Sequence, residues 1–298
     1  MDKFDSLRAF TQVVESGGFA AAARKMGLSR SQVNKLVINL EDQLGVQLLH
    51  RTTRQVTPTD AGSAFYGTCI TILSDLADAE QAVMQQHSQP QGTLKVNAPL
   101  SFGIQHLAPA LGEFLQQYPQ VQVELVLSDR FIDPIEEGFD ITLRISAPPA
   151  AARLVVQQVA PAQRVLCASP GYLATHSAIA HPQDLAHQSC LHYGHLPSRH
   201  TWHLTGPDGD HTVSVSGALC SNNGDVLRAI ALQGVGIALL PSFLVHDDLR
   251  QNKLQVVLPG YAPSPLGIYV LYPVNRYLSA KIQRFSDFLV ARFGDVAW

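Results

Sequence analysis

Arg30, Ser31, Asn34 and Lys35 place a cation or a hydrogen-bonding group at each outward position of one short stretch. An amide such as Gln32 or Asn34 matches the edge of adenine, while Arg30 and Lys35 suit phosphate oxygens. Arg51 and Arg54 follow within a basic run, HRTTRQ, which suits phosphate or the minor groove. The chemistry on offer is recognition of double-stranded DNA, provided that the chain holds these groups on one rigid face.

The elements needed for that are legible. Residues 2–16 read as a first helix, capped by Asp2, with Leu7, Phe10 and Val14 on one side. Gly17-Gly18 ends it. Residues 19–26 are alanine-rich and break at Gly27. Ser29 restarts a helix with Gln32 at capping-box spacing, and Val33, Val37, Leu40 and Leu44 repeat on its inner face. Residues 46–49 and the basic run then read as a two-stranded wing. A solvated helical hairpin would explain the helices alone. Helix, helix, capped helix and basic wing together predict a winged helix-turn-helix, whose third helix enters the major groove.

The run FAAAARKMGLSRSQVNKLVINLEDQLGVQLLHRTTRQVTPTDAG resembles the DNA-binding head of LysR-type transcriptional regulators, in the subgroup whose wing reads RTTR. The resemblance rests on Phe19, alanines 20–23, Leu28, Ser29, Ser31, Val33, Leu40, Glu41, Leu44, Gly45, Leu48, Arg51, Thr57, Ala61 and Gly62. Asn34 departs from it, because the family more often has serine there, and this bears on base preference.

Thr59 is placed to cap a long helix running to about residue 86. Ala61, Phe65, Ile72, Leu76, Ala79 and Val83 form a seam near heptad spacing, which fits a helix paired with another helix or one lying on its own domain. The resemblance makes it the linker helix of a homodimer or homotetramer. Charge points the same way. Residues 1–60 hold eight Lys/Arg against six Asp/Glu, within a chain of net charge -3. So small an excess is weak for a single DNA-binding unit, and pairing doubles the phosphate contacts.

HSQPQG at 87–92 reads as a hinge, after which strands and helices alternate. Strands are expected at 94–98, 121–127, 141–145, 164–168, 190–193, 213–219, 237–240 and 268–272. Helices are expected at 102–117, 134–137, 224–233 and 279–293. Such alternation predicts an α/β body with a parallel sheet. The resemblance continues through ASPGYL at 168–173, HPQDL at 181–185 and GVGIALLP at 234–241, and implies a two-lobed, periplasmic-binding-protein-like body. The expected organisation is therefore an all-α winged head at 1–58, a linker at 59–91 and an effector-binding domain at 92–298. Lobe I would comprise 92–161 and 267–298, and lobe II 162–266.

In a two-lobed body the default ligand site is the cleft at the strand ends. Ser101 and Phe102 follow the first strand; Ser101 either caps the next helix or, as the resemblance implies, contacts an acidic small-molecule effector. Ser128 and Arg144 end the next two strands. Arg144 is an anion partner or an internal ion pair with Asp129 or Asp140. Tyr193 and Asn222 are the nominations from the second lobe. His192, His195, His200 and His203 cluster in a loop-like segment without an acidic or cysteine partner at ligand spacing, so no metal site is expected there.

Other functions fit less well. Cys69, Cys167, Cys190 and Cys220 are widely spaced and read as free thiols of a cytoplasmic protein. Neither a signal peptide nor a membrane span is expected, which argues against a transport protein. Gly234-Val-Gly236 lacks the third glycine of a dinucleotide loop, and no nucleophile elbow appears, so neither catalysis nor a cofactor is expected. The expected partners are double-stranded DNA, a small effector, a second copy of the chain and RNA polymerase, with no membrane.

Overall fold

The computed structural model describes residues 2–51, 56–84, 89–130, 132–150, 152–194, 200–274 and 279–296. It divides into two compact units, residues 1–88 and 89–298.

In the first unit, α1 (Lys3–Ser16), α2 (Phe19–Met26) and α3 (Arg30–Leu44) each end on a left-handed glycine, Gly17, Gly27 and Gly45. At such a position a residue with a Cβ is strained. The three helices bury Leu7, Phe10, Val13, Phe19, Ala22, Val33, Leu36, Val37 and Leu40 against one another. Leu44, expected on that inner face, is 41% exposed, whereas Leu36 is buried. Ser29 and Gln32 form both bonds of the capping box.

The wing pairs β1 (Leu49–Arg51) antiparallel with β2 (Val56–Pro58). Glu41 Oε1 accepts from both Leu48 N–H, at 2.9 Å, and Leu49 N–H, at 3.1 Å, which ties α3 to the wing. α4 (Asp60–Met84) starts at a tight joint. Thr59 N–H donates to Leu48 O at 2.9 Å, Thr59 Oγ1 donates to Gln47 O at 2.9 Å, and the same oxygen accepts from Gly62 N–H. A Cβ on Gly62 would lie 2.0 Å from Leu48 O, so helix and wing touch backbone to backbone. Along α4, Cys69 is fully buried in the head core and Phe65, Tyr66 and Leu73 pack against it, whereas Ile72 is 40% exposed. One side of the expected seam is thus used within the head.

The second unit begins with β3 (Gly92–Ala98), followed by α5 (Leu100–Phe102), a π-helical turn at Gly103–Leu107, and α6 (Ala108–Gln117). Then come β4 (Val121–Leu127), β5 (Ile141–Ser146), β6 (Leu154–Ala162), β7 (Arg164–Ala168) and α7 (Pro170–Thr175). A 3-10 segment, Pro182–His187, leads to β8 (Cys190–Tyr193), β9 (His200–Gly206), β10 (Gly209–Val215) and β11 (Cys220–Ser221). The chain ends with α8 (Gly224–Leu232), β12 (Ile237–Pro241), α9 (Ser242–Arg250), β13 (Gln255–Val256), β14 (Ala262–Pro263), β15 (Leu266–Pro273) and α10 (Ala280–Phe293).

Two five-stranded sheets, β4-β3-β5-β15-β6 and β11-β8-β12-β7-β13, form the body, and β10-β9-β14 makes a third, smaller one. The large sheets are mixed rather than parallel. β15 runs antiparallel to β5 and β6, and β12 and β13 run antiparallel to β7. The reversal arises where the chain passes from β6 into β7 and returns from β14 into β15. Those pairings join distant segments, which periodicity does not reveal. Three further expectations change. Residues 134–138 are a turn, because Asp133 Oδ1 caps the Ile135 amide and Gly138 takes a positive φ. The strand expected at 213–219 lies earlier, at β10. β9 replaces part of the stretch read as loop; its Trp202 and Leu204 pack inward.

Gly62→Ala is expected to destabilise the head by roughly 1–3 kcal/mol through this overpacking. Hydrogen exchange should show it as faster exchange of the Leu48 and Leu49 amides, while amides of the second unit keep their rates.

Candidate functional site

Two sites take shape, one in each unit. On α3, Arg30, Ser31 and Lys35 are exposed and Asn34 is half-buried, next to the fully buried Val33. The inward apolar positions alternate with these outward polar ones, so packing of the inner face sets the orientation of the outer. Gln32 forms the capping box expected of it. Its amide oxygen accepts from Ser29 N–H and Ser29 Oγ, both at 2.8 Å, so it offers a base only its NH2 donor. Arg24 and Lys25 add two exposed cations in the last turn of α2, which the sequence reading passed over. Arg51 lies in β1, and Arg54 falls outside the described residues.

The second site is a cavity of about 400 Å³ in the effector unit, with walls from both large sheets. Its volume suits a small metabolite. Ser101, Phe102, Ser128, Arg144 and Tyr193 all line it, as do Asp129, Arg164, Thr201, Trp202 and Phe243. Asn222 does not; it is exposed, and its neighbour Asn223 turns inward. The reason is local: Asn223 is the N-cap of α8, with Oδ1 accepting from Asp225 N–H and Val226 N–H. That fixes its Nδ2 toward the cavity side.

Ser101 does not cap the helix that follows β3. It sits inside α5, and the carboxylate of Asp129 takes the helix-terminal Leu100 N–H at 2.9 Å. The other oxygen of Asp129 accepts from Asn223 Nδ2 at 3.0 Å, and Ser101 Oγ lies 3.5 Å from the same nitrogen. Gln105 Nε2 donates to Asp225 Oδ1 at 2.9 Å nearby. Side chains of the two sheets therefore meet across this edge of the cleft.

The electrostatics are asymmetric. Arg144 is 8% exposed and Arg164 half-buried, and desolvation holds both guanidiniums below their ordinary pKa. For Arg144, the charges of Glu137 and Asp129 act in the opposite direction. Arg164 Nη2 donates to Ser264 O at 2.9 Å, linking the two crossovers, while its Nε is buried without a hydrogen-bond partner. Arg164 begins β7 in the second sheet, whereas strand topology points to the carboxyl ends of strands, so its place at the cavity has no signal in the sequence.

Residues 4–63 match the bacterial regulatory helix-turn-helix of the LysR family, and residues 87–294 match the LysR substrate binding domain. The chain is a LysR-type transcriptional regulator. This LysR protein is 35% identical over 288 residues to the HTH-type transcriptional regulator PtxR of Pseudomonas aeruginosa, covering 97% of its own length and 92% of that protein. It is likewise 35% identical to DmlR of Escherichia coli over 292 residues, covering 98% and 94%. The solved structure of CrgA, a LysR-type regulator from Neisseria meningitidis, superposes with a TM-score of 0.63 at 32% identity. That match covers 97% of this chain and 98% of CrgA. Among the described residues no helix is long and apolar enough to cross a membrane.

The thiols of this LysR chain lie away from both sites. Burial pushes Cys69 up to about 11, and Cys167 and Cys190 up to about 12, so each stays protonated at neutral pH. Cys220 is only half-buried. At pH 8 a thiol-specific disulfide reagent is therefore expected to modify Cys220 rapidly in the native protein and the other three only on unfolding. Rapid native reaction at two or more thiols, located by peptide mapping, would contradict this.

Proposed function

We propose that the regulator is controlled by a small organic anion, a carboxylate foremost, held in the cavity between the two large sheets. The observation that carries this reading is the pair of desolvated guanidiniums, Arg144 and Arg164, lining a pocket where Asp129 is the only carboxylate among the described lining residues. That carboxylate is already engaged by Leu100 N–H and Asn223. A bound anion would offset positive charge brought to the cavity by the two guanidiniums. Ser101 and Ser128 supply hydroxyls, and Phe102, Trp202 and Phe243 give apolar walls for the rest of the molecule.

The same reading gives the other residues their roles. Asn34 reads base edges, Ser31 and Gln32 lie at the groove as hydrogen-bonding groups, and Arg30, Lys35, Arg51 and Arg54 hold phosphates or the minor groove. α4 pairs copies of the chain into a dimer or tetramer, which gives the weakly basic head enough phosphate contacts. The effector acts by binding closed and open clefts unequally, since only a difference in affinity shifts their populations. The Asp129–Asn223 and Gln105–Asp225 bonds are closed-cleft contacts that such a ligand would stabilise or break. The outcome is a change in DNA bend or in contact with RNA polymerase.

The test is footprinting on the DNA upstream of the protein's own gene, over a range of salt, with and without a panel of small carboxylic acids. A protected inverted repeat that one acid shifts supports the proposal. Arg164→Ala should abolish the acid's effect while leaving binding without it unchanged. A footprint that only uncharged compounds shift would overturn the anionic reading.

For the head, Asn34→Ala is expected to cost roughly 1–3 kcal/mol on the operator and little on random DNA. Arg30→Ala or Lys35→Ala should instead weaken both alike and reduce the slope of log affinity against log salt by about one. Equal losses on operator and random DNA for Asn34→Ala would remove its base-reading role.

A further inference from the structure

We propose that His181, Asp208 and His211 form a binding site for a divalent transition-metal ion, zinc foremost, on the small sheet of the second lobe. Two separate pieces of chain, the start of the 3-10 segment and the β9–β10 hairpin, bring them together. His181 is the N-cap of the 3-10 segment, Asp208 stands in the turn between β9 and β10, and His211 lies on β10. His181 Nε2 is 3.2 Å from Asp208 Oδ2, and His211 Nε2 is 2.9 Å from Asp208 Oδ1. All three donor atoms fall within 4.8 Å of one another.

Tetrahedral zinc with nitrogen and oxygen ligands at about 2.0–2.1 Å separates them by roughly 3.3 Å. Both His–Asp distances fall just short of that spacing, and the donors, within 4.8 Å of one another, would draw together around an ion. Two imidazoles and a carboxylate form a three-ligand set with a fourth position left for water. The side chains of His181 and Asp208 are 42% and 45% exposed, which provides the entry path.

The surroundings are built to the same plan. Tyr261 Oη lies 3.3 Å from Asp208 Oδ2 and orients the carboxylate from behind. Gly206 makes that approach possible, because a Cβ there would lie 2.3 Å from the Tyr261 ring and 3.1 Å from Asp208 Oδ1. His181 and His211 stand edge to face at 4.8 Å between ring centroids. His181 Nδ1 faces Gln183 N–H at 3.3 Å. Metal at Nε2 moves the His181 proton to Nδ1 and gives up that contact, which is already long for a hydrogen bond. An ion here would staple the β9–β10 turn to the 3-10 segment. The opposite end of β9 carries Thr201 and Trp202 into the cavity, so the staple would hold one of its walls.

The test is calorimetric titration of the full-length, chelator-stripped protein with Zn²⁺. One ion per chain is expected, lost in His211→Ala and Asp208→Asn and retained in His246→Ala, an exposed histidine on α9. Tyr261→Phe should weaken binding by about tenfold. Stripped variants must keep the wild-type circular dichroism for the comparison to count. In the wild type itself, zinc should protect His181 and His211, but not His246, from diethyl pyrocarbonate, as read by mass spectrometry. Absence of stoichiometric zinc uptake, undiminished uptake in both ligand variants, or equal protection of His246 would each overturn the site.

Discussion

A buried guanidinium cannot shed its proton, so it must find acceptors or anionic partners within reach. The cavity of this regulator contains two guanidiniums, Arg144 from β5 and Arg164 from β7. Asp129, whose charge together with that of Glu137 favours the Arg144 cation, also closes the N-terminus of α5 and receives Asn223 from the N-cap of α8. The ends of β3, β4, β5 and β7 bring these charged groups to one cavity. One sheet contributes Arg144 and Asp129, the other Arg164 and Asn223, and Arg164 also reaches the returning crossover through Ser264 O. Crossover, cleft and charge therefore meet at Arg164.

How much of this could be read from the chain depends on how local the signal is. The head was legible in detail because its signals span a few residues: Asp2 and Ser29 as caps, Gly17, Gly27 and Gly45 as stops, and the inward repeat of Val33, Val37 and Leu40. The expected capping box forms, and it occupies the Gln32 oxygen that adenine recognition would also use; Leu44, at the end of α3, is exposed while Leu36 is buried.

The body was legible as alternating strands and helices but not as a sheet order. Nothing within a strand states that β15 pairs antiparallel with β5, or that β7 opposes β12. For the same reason the first-sheet nominations, Ser101, Phe102, Ser128 and Arg144, all reach the cavity, whereas Arg164 was overlooked. Asn222 against Asn223 is a one-residue matter. The N-cap geometry of α8 turns one side chain inward and leaves its neighbour in solvent, and two consecutive asparagines look alike until the helix start is fixed. Clustering of histidines along the chain is no guide to their meeting in space. His192 lies in β8 and His203 in β9, while the histidines that meet a carboxylate, His181 and His211, are thirty positions apart and joined only by the fold.

The joint at Gly62 has a mechanical meaning. With Leu48 O pressed against the first turn of α4, and Thr59 bonded to both sides, the wing has no slack relative to that helix. A helix of 25 residues is about 37 Å long. The Leu48–Gly62 contact and the packing of Phe65, Cys69 and Leu73 on the head core deny the first turns of that helix any independent travel, so wing, helix start and core form one rigid block.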